Sequence, residues 1–217
     1  MFEYLLFYIH FGLIVFIVRK TLHAEGWMVA ALQSSLHFGM LLVVFFNMPL
    51  KKVNIFLRIL IFLTLSRILL IAAAFTKEPF LFCLLSFLSL ALQAPVISSS
   101  VAIYKRWFPA AERNQILSLC NTFAALVIIF FSFIGGRLLD SNPFYYRQII
   151  SLTAGVTLIA VFLFCCYGFY TDNPQDGSFE AVKFTSILEI FRKDLRFCLY
   201  TVSFSLFGIA NLIGITV

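Results

Sequence analysis

Polar and apolar positions in this chain fall into blocks. Runs that are almost wholly apolar occupy residues 4–18, 27–46, 55–75, 79–103, 116–136, 148–170 and 198–217, parted by brief polar punctuation. A hydrocarbon layer about 30 Å thick takes about 20 residues of apolar helix to cross, so each run is one candidate crossing. Strands of a membrane barrel would alternate with a period of two, and backbone amides inside lipid must be satisfied within their own segment. The pattern therefore predicts seven α-helices. Residues 1–170 form a six-helix bundle, 171–197 a linker and 198–217 a seventh helix.

The linker TDNPQDGSFEAVKFTSILEIFRKDLRF holds five of the ten acids and an apolar stripe at Phe184, Ile187, Leu188 and Phe191. That spacing predicts an amphipathic helix on the cytoplasmic membrane surface.

Composition closes off other classes. With 62% hydrophobic residues, 12% charged and a mean hydropathy of +1.00, no soluble core-and-shell domain is left over. The net charge of +6 resides almost entirely in the connections, where basic residues face the cytoplasm and anionic headgroups. The partner is thus the lipid bilayer, with no nucleic acid. Placing the N-terminus in the cytoplasm puts ten basic residues inside, Arg58 among them, against Arg19, Lys20, Lys77, Arg137 and Arg147 outside. Glu3 before the first run and Arg19-Lys20 after it argue locally for the reverse, and the larger sum decides. Met1-Phe2-Glu3 lacks the basic start of a signal peptide. The five cysteines show no metal or disulfide spacing and read as packing residues. With no paired carboxylates, metal-spaced His/Cys set or Gly-rich phosphate loop, neither an enzyme nor a cofactor is expected.

The densest punctuation is YKRWFPAAERNQ, residues 104–115. Trp107 suits the headgroup interface, with Lys105 and Arg106 anchoring the preceding helix. Pro109 suits the first turn of the next helix. Glu112 follows where a helix dipole favours a carboxylate, and Arg113 is in reach of phosphates or of a carboxylate on a neighbouring helix. For the basic residues taken singly, an ordinary positive-inside loop is the competing account. The order of Arg106, Trp107, Phe108, Pro109, Glu112 and Arg113 resembles the loop between helices 4 and 5 of the major facilitator superfamily of secondary transporters. Within it, the chain most resembles the sodium/phosphate and organic-anion (anion:cation symporter) carriers. The resemblance spans about residues 25–215 and implies the N-terminal half of a twelve-helix protein plus helix 7.

Measured against that resemblance, the chain departs in several places. Residues 47–54, NMPLKKVN, lack the Gly and Asp of the family's cytoplasmic gate. Twenty-one residues before Trp107, where an intramembrane arginine belongs, stands Ser86. Residues 116–133 hold no Gly or Pro, so the antiporter signature of the fifth helix is missing too. The seventh run reaches Val217 without a polar exit, and the first has only 15 apolar residues before Arg19. These ends create the expectation of an incomplete chain that needs the C-terminal half of the carrier.

Intramembrane polar residues supply the substrate-binding candidates. Arg67 is the clearest charge inside an apolar run, and such a residue marks a solute path by default; snorkelling or helix pairing is its plain alternative, and third helices are peripheral in the resembled family. Arg19 matches an arginine near helix 1 that faces the anion path there, or is a flanking charge. Gln33 and His37, four apart, share a helix face that lines a cavity or packs helices. His10 and Ser98-Ser99-Ser100 are weaker. No Asp or Glu lies within any apolar run.

The resemblance implies alternating-access transport of a small organic anion or phosphate, with Na+ or H+ as coupling ion, in a plasma or vesicle membrane. Two alternatives stay open: a non-transporting, divergent or truncated relative, and a seven-helix receptor with its N-terminus outside.

Overall fold

The computed structural model describes residues 12–47 and 53–171. The start of the first apolar run, the connection 48–52, the linker from residue 172 and the seventh run lie outside the described residues. Within them the chain is helical, without a strand. Helix α1 covers 12–20, followed by α2 (Gly26–Asn47), α3 (Ile55–Phe75), α4 (Pro79–Ala91), α5 (Gln93–Trp107), α6 (Ala110–Ser141), a 3-10 turn (Pro143–Tyr145) and α7 (Tyr146–Thr171). Among the described residues five spans are long and apolar enough to cross a membrane, with α4 and α5 counting as one. This is the all-α membrane bundle that the apolar blocks predict.

Local chemistry sets the boundaries. Asn54 caps α3, its Oδ1 accepting from the Phe56 amide at 2.8 Å, which satisfies one of the orphan donors of a helix start. Pro79 opens α4, where its missing N–H removes nothing. The sequence predicts one continuous helix over 79–103, yet the chain breaks at Leu92. Pro95 is the physical reason: it has no amide to offer the Ala91 carbonyl four residues back, and its ring crowds that carbonyl.

The fifth predicted helix, 116–136, is longer than its apolar core, because α6 also includes Glu112, Arg113, Asn114 and Gln115 before it and Arg137, Asp140 and Ser141 after it. At 1.5 Å per residue its 32 residues span about 48 Å, so both ends reach the headgroup layers. The connection predicted between Arg137 and Arg147 shrinks to Asn142 and the 3-10 turn.

Helix α3 packs against α4, α5 and α7, and α2 against α4 and α5. The resemblance makes the third helix peripheral; here half of its residues are buried, while Leu57, Ile61, Leu65 and Ile68 form an exposed apolar face. Apolar packing is split between the two ends of the bundle. One cluster joins Ile14 and Ile17 of α1 to Leu32, Leu70, Ala73, Phe82 and Tyr146. The other joins Ile55, Phe56 and Ile59 of α3 to Ile103, Val161 and Cys165. Lys20 and Asp140 approach to 3.7 Å, tying the ends of α1 and α6 on one side; both are well exposed, so the pair contributes little.

Candidate functional site

Buried polar side chains sit between the two apolar clusters. Of the eleven among the described residues, all but Arg58 fall in the middle half of their spans: Gln33 and Ser35 on α2, Ser66 and Arg67 on α3, five more on α4 and α5, and Thr157 on α7. In lipid such groups associate helices or serve a solute path, since leaving them against hydrocarbon is costly. Some do associate helices. Ser66 Oγ donates to the Ser89 carbonyl and Ser89 Oγ to the Ser66 carbonyl, each at 2.8 Å, a reciprocal clasp between α3 and α4. Others have no such bond. Gln33 Oε1, Ser86 Oγ and Gln93 Nε2 are buried without a hydrogen-bond partner among the described residues. Unmet groups of this kind cost about 1–3 kcal/mol each, and they would be relieved by a polar solute.

Arg67 lies in this layer, 0% exposed. Gln33 is also there, but His37 is exposed, so the shared face divides. The packed side of α2 centres on Val29, Leu32, Ser35 and Gly39; at 100° per residue Gln33 is at its edge and His37 a further 40° round. Arg19 is exposed at the end of α1, well away from the layer in sequence depth. Ser86, in the position of the expected arginine, is fully buried. Sequence reasoning placed Arg58 among the loop charges; it is 3% exposed in the first turn of α3.

The loop motif joins α5 to α6. Arg106, Pro109 and Glu112 are exposed, while Trp107 and Arg113 are half-buried. Trp107 does more than sit at an interface: its ring lies 6.0 Å from Phe56, 5.6 Å from Phe164 and 6.0 Å from Tyr167, pinning the end of α5 to α3 and α7. Pro109, expected in the first turn of the next helix, is the cap residue before it (φ −55, ψ 148). Glu112 is in the first turn of α6, as expected. Arg113 Nη2 donates to the carbonyls of Lys105 (3.2 Å) and Phe108 (3.1 Å), closing the C-terminal end of α5.

Below this loop a cavity of about 480 Å³ opens between α5, α6 and α7, with Trp107 and Arg113 in its wall. Arg19, Gln33, His37 and Arg67 do not border it. Among the described residues no group of three or more His, Cys, Asp or Glu is placed to hold a metal ion.

A bundle of membrane-crossing helices that gathers its polar side chains at mid-depth is the construction of a membrane transporter. The sequence pattern of the Major Facilitator Superfamily matches residues 1–217, and the chain belongs to that superfamily. It is therefore an integral, multi-pass membrane transporter, and the match decides against the receptor alternative. No curated protein and no solved structure matches the chain.

Proposed function

We propose that this transporter moves a small organic anion or phosphate by alternating access, with Arg67 receiving the anion at mid-depth. The observation that carries the reading is the fully buried Arg67 within the polar layer, in a chain with no Asp or Glu inside any apolar run. Arg67 therefore sets a positive charge at mid-depth, and a positive field there favours a negative solute. Transporters of this architecture bind solute near the bilayer midplane and rock around it. Ser86 and Gln93 add polar groups at the same depth. The coupling ion is Na+ or H+, the N-terminus is cytoplasmic, and Arg19 and His37 act only as outer contacts on the solute's way in.

The test is uptake by the full-length protein in proteoliposomes, using labelled phosphate, mono- and dicarboxylates and a neutral sugar, under imposed Na+ and H+ gradients. Uptake of one anion class, reduced about ten- to hundredfold in Arg67→Gln and partly restored in Arg67→Lys, is expected from the loss of one charge-assisted hydrogen bond. Uptake of the neutral solute alone would sink the reading.

A second reading, a divergent relative without its own solute, is favoured by Ser86 where the resemblance places an arginine. Its signature would be cooperative unfolding of the purified protein with no uptake of any solute.

A further inference from the structure

We propose that the cavity between α5, α6 and α7 is a lipid site: it takes one acyl chain of an anionic phospholipid, whose phosphate rests on Lys105 and Arg113. The shape points this way. On α6 the lining runs from Arg113 to Asn121, and on α7 from Phe164 to Thr157. Eight helical rises make the first of these about 12 Å long, so the cavity is a slot lying along the helix axes, as an acyl chain lies along the membrane normal. Its volume of about 480 Å³ falls within the ~300–1,000 Å³ of small-molecule sites.

Chemistry changes from one end of the slot to the other. At the loop end stand Lys105, exposed, and Arg113, whose Nε is buried without a hydrogen-bond partner among the described residues while its Nη2 is committed to carbonyls. Across residues 104–115 three cations face one acid, the exposed Glu112. Beyond the cations the walls are mainly apolar, with side chains such as Ile116, Leu117 and Val161. A free phosphate would satisfy only the cationic end and leave the rest empty; a neutral hydrocarbon would ignore the charges. An anionic amphiphile fills both.

Supply also favours a lipid. Along α6 only Ala124, Gly135 and Leu139 are buried, so among the described residues the wall of the slot is a helix with most of its apolar surface uncovered and open to a lipid. The slot does not include Arg67 or Gln33, so lipid occupancy is a separate matter from solute binding.

Cys120 lines the slot, and Cys166 on α7 is exposed and does not. This pair gives the test. Full-length protein is placed in nanodiscs of phosphatidylcholine or phosphatidylglycerol and treated with a membrane-permeant maleimide, with modification followed at each cysteine by mass spectrometry. Labelling of Cys120 is expected to slow by about fivefold or more in phosphatidylglycerol, given about 1 kcal/mol per basic residue at an anionic surface. Cys166 should label equally in both lipids. Lys105→Gln, a change at an exposed side chain, should remove most of the difference. Equal rates at Cys120 in the two lipids, an equal slowing at Cys166, protection by inorganic phosphate alone in phosphatidylcholine, or an unchanged difference in Lys105→Gln would each overturn the assignment.

Discussion

Gly39 of α2 is packed onto the backbone of Ala91, the residue whose carbonyl Pro95 deprives of its helical partner, and a Cβ at position 39 would collide with that carbonyl. Since the obstacle is backbone, α2 and α4 would have to separate. Gly39→Ala is expected to destabilise the protein by roughly 1–3 kcal/mol, as overpacking does, read as a lower denaturation midpoint of the full-length protein in detergent. Gly136→Ala is the matched control, because nothing lies within 4 Å of its Cβ position and Ala is better than Gly in a helix by roughly 0.5–1 kcal/mol. An equal loss in both would mean that the close approach is not what Gly39 serves. The Ser66–Ser89 clasp allows a double-mutant cycle: alanine at either should cost about 0.6 kcal/mol, and at most ~1.7, with little further loss in the pair. Additive losses would show that the two hydroxyls do not act together. These residues differ in how far the sequence exposes them. Arg67 stands out in the sequence as a charge deep inside an apolar run, and it is fully buried. Two serines 23 positions apart meet only through the register of two helices, which no local pattern specifies. Arg58 stands close enough to an apolar run's beginning that a loop charge and a buried one read alike.

Hydrophobic blocks located the membrane helices well, because lipid leaves the backbone one solution and block length then dictates the crossing. Interruptions and extensions were harder to read. Pro95 breaks the fourth span at Leu92 with a lone Gln93 beside it and no charged residue, and α6 extends past its apolar core because Pro109 and Asn142, rather than hydropathy, define its ends. The break suits a carrier that rearranges, since it places a backbone discontinuity next to Gln93 in the polar layer. Pro95→Ala restores the missing amide, so it is expected to raise the denaturation midpoint, an unrelieved mid-helix proline costing about 3 kcal/mol or more, and to lower uptake at unchanged expression. Uptake at the wild-type level would make the break a passive feature. At the loop between α5 and α6, Nη2 of Arg113 alone reaches two carbonyls. Arg113→Lys keeps the charge but loses the planar fork. A loss of about 0.5–1.5 kcal/mol is expected, the net worth of a hydrogen bond; stability equal to wild type would mean that charge alone suffices there.

Orientation is a property of the whole molecule, and it follows from where the charges end up once the helices are packed. Removing Arg58, buried in α3, from the inside set leaves nine basic residues against five, so the charge excess that argues for a cytoplasmic N-terminus remains. Within the described residues the helices alternate in direction, which puts the turn at Lys77 and the loop at Lys105 on opposite sides, and Lys20–Asp140 fixes the ends of α1 and α6 on the side of Lys77. Lys77→Cys is therefore expected to react with a membrane-impermeant maleimide on intact cells, and Lys105→Cys only after permeabilisation, in a background whose native cysteines are serine. Both positions are exposed, so each variant should fold. Labelling of position 105 from outside would invert the bundle and, with it, move the loop and the proposed lipid slot to the opposite leaflet, where anionic phospholipid is scarcer.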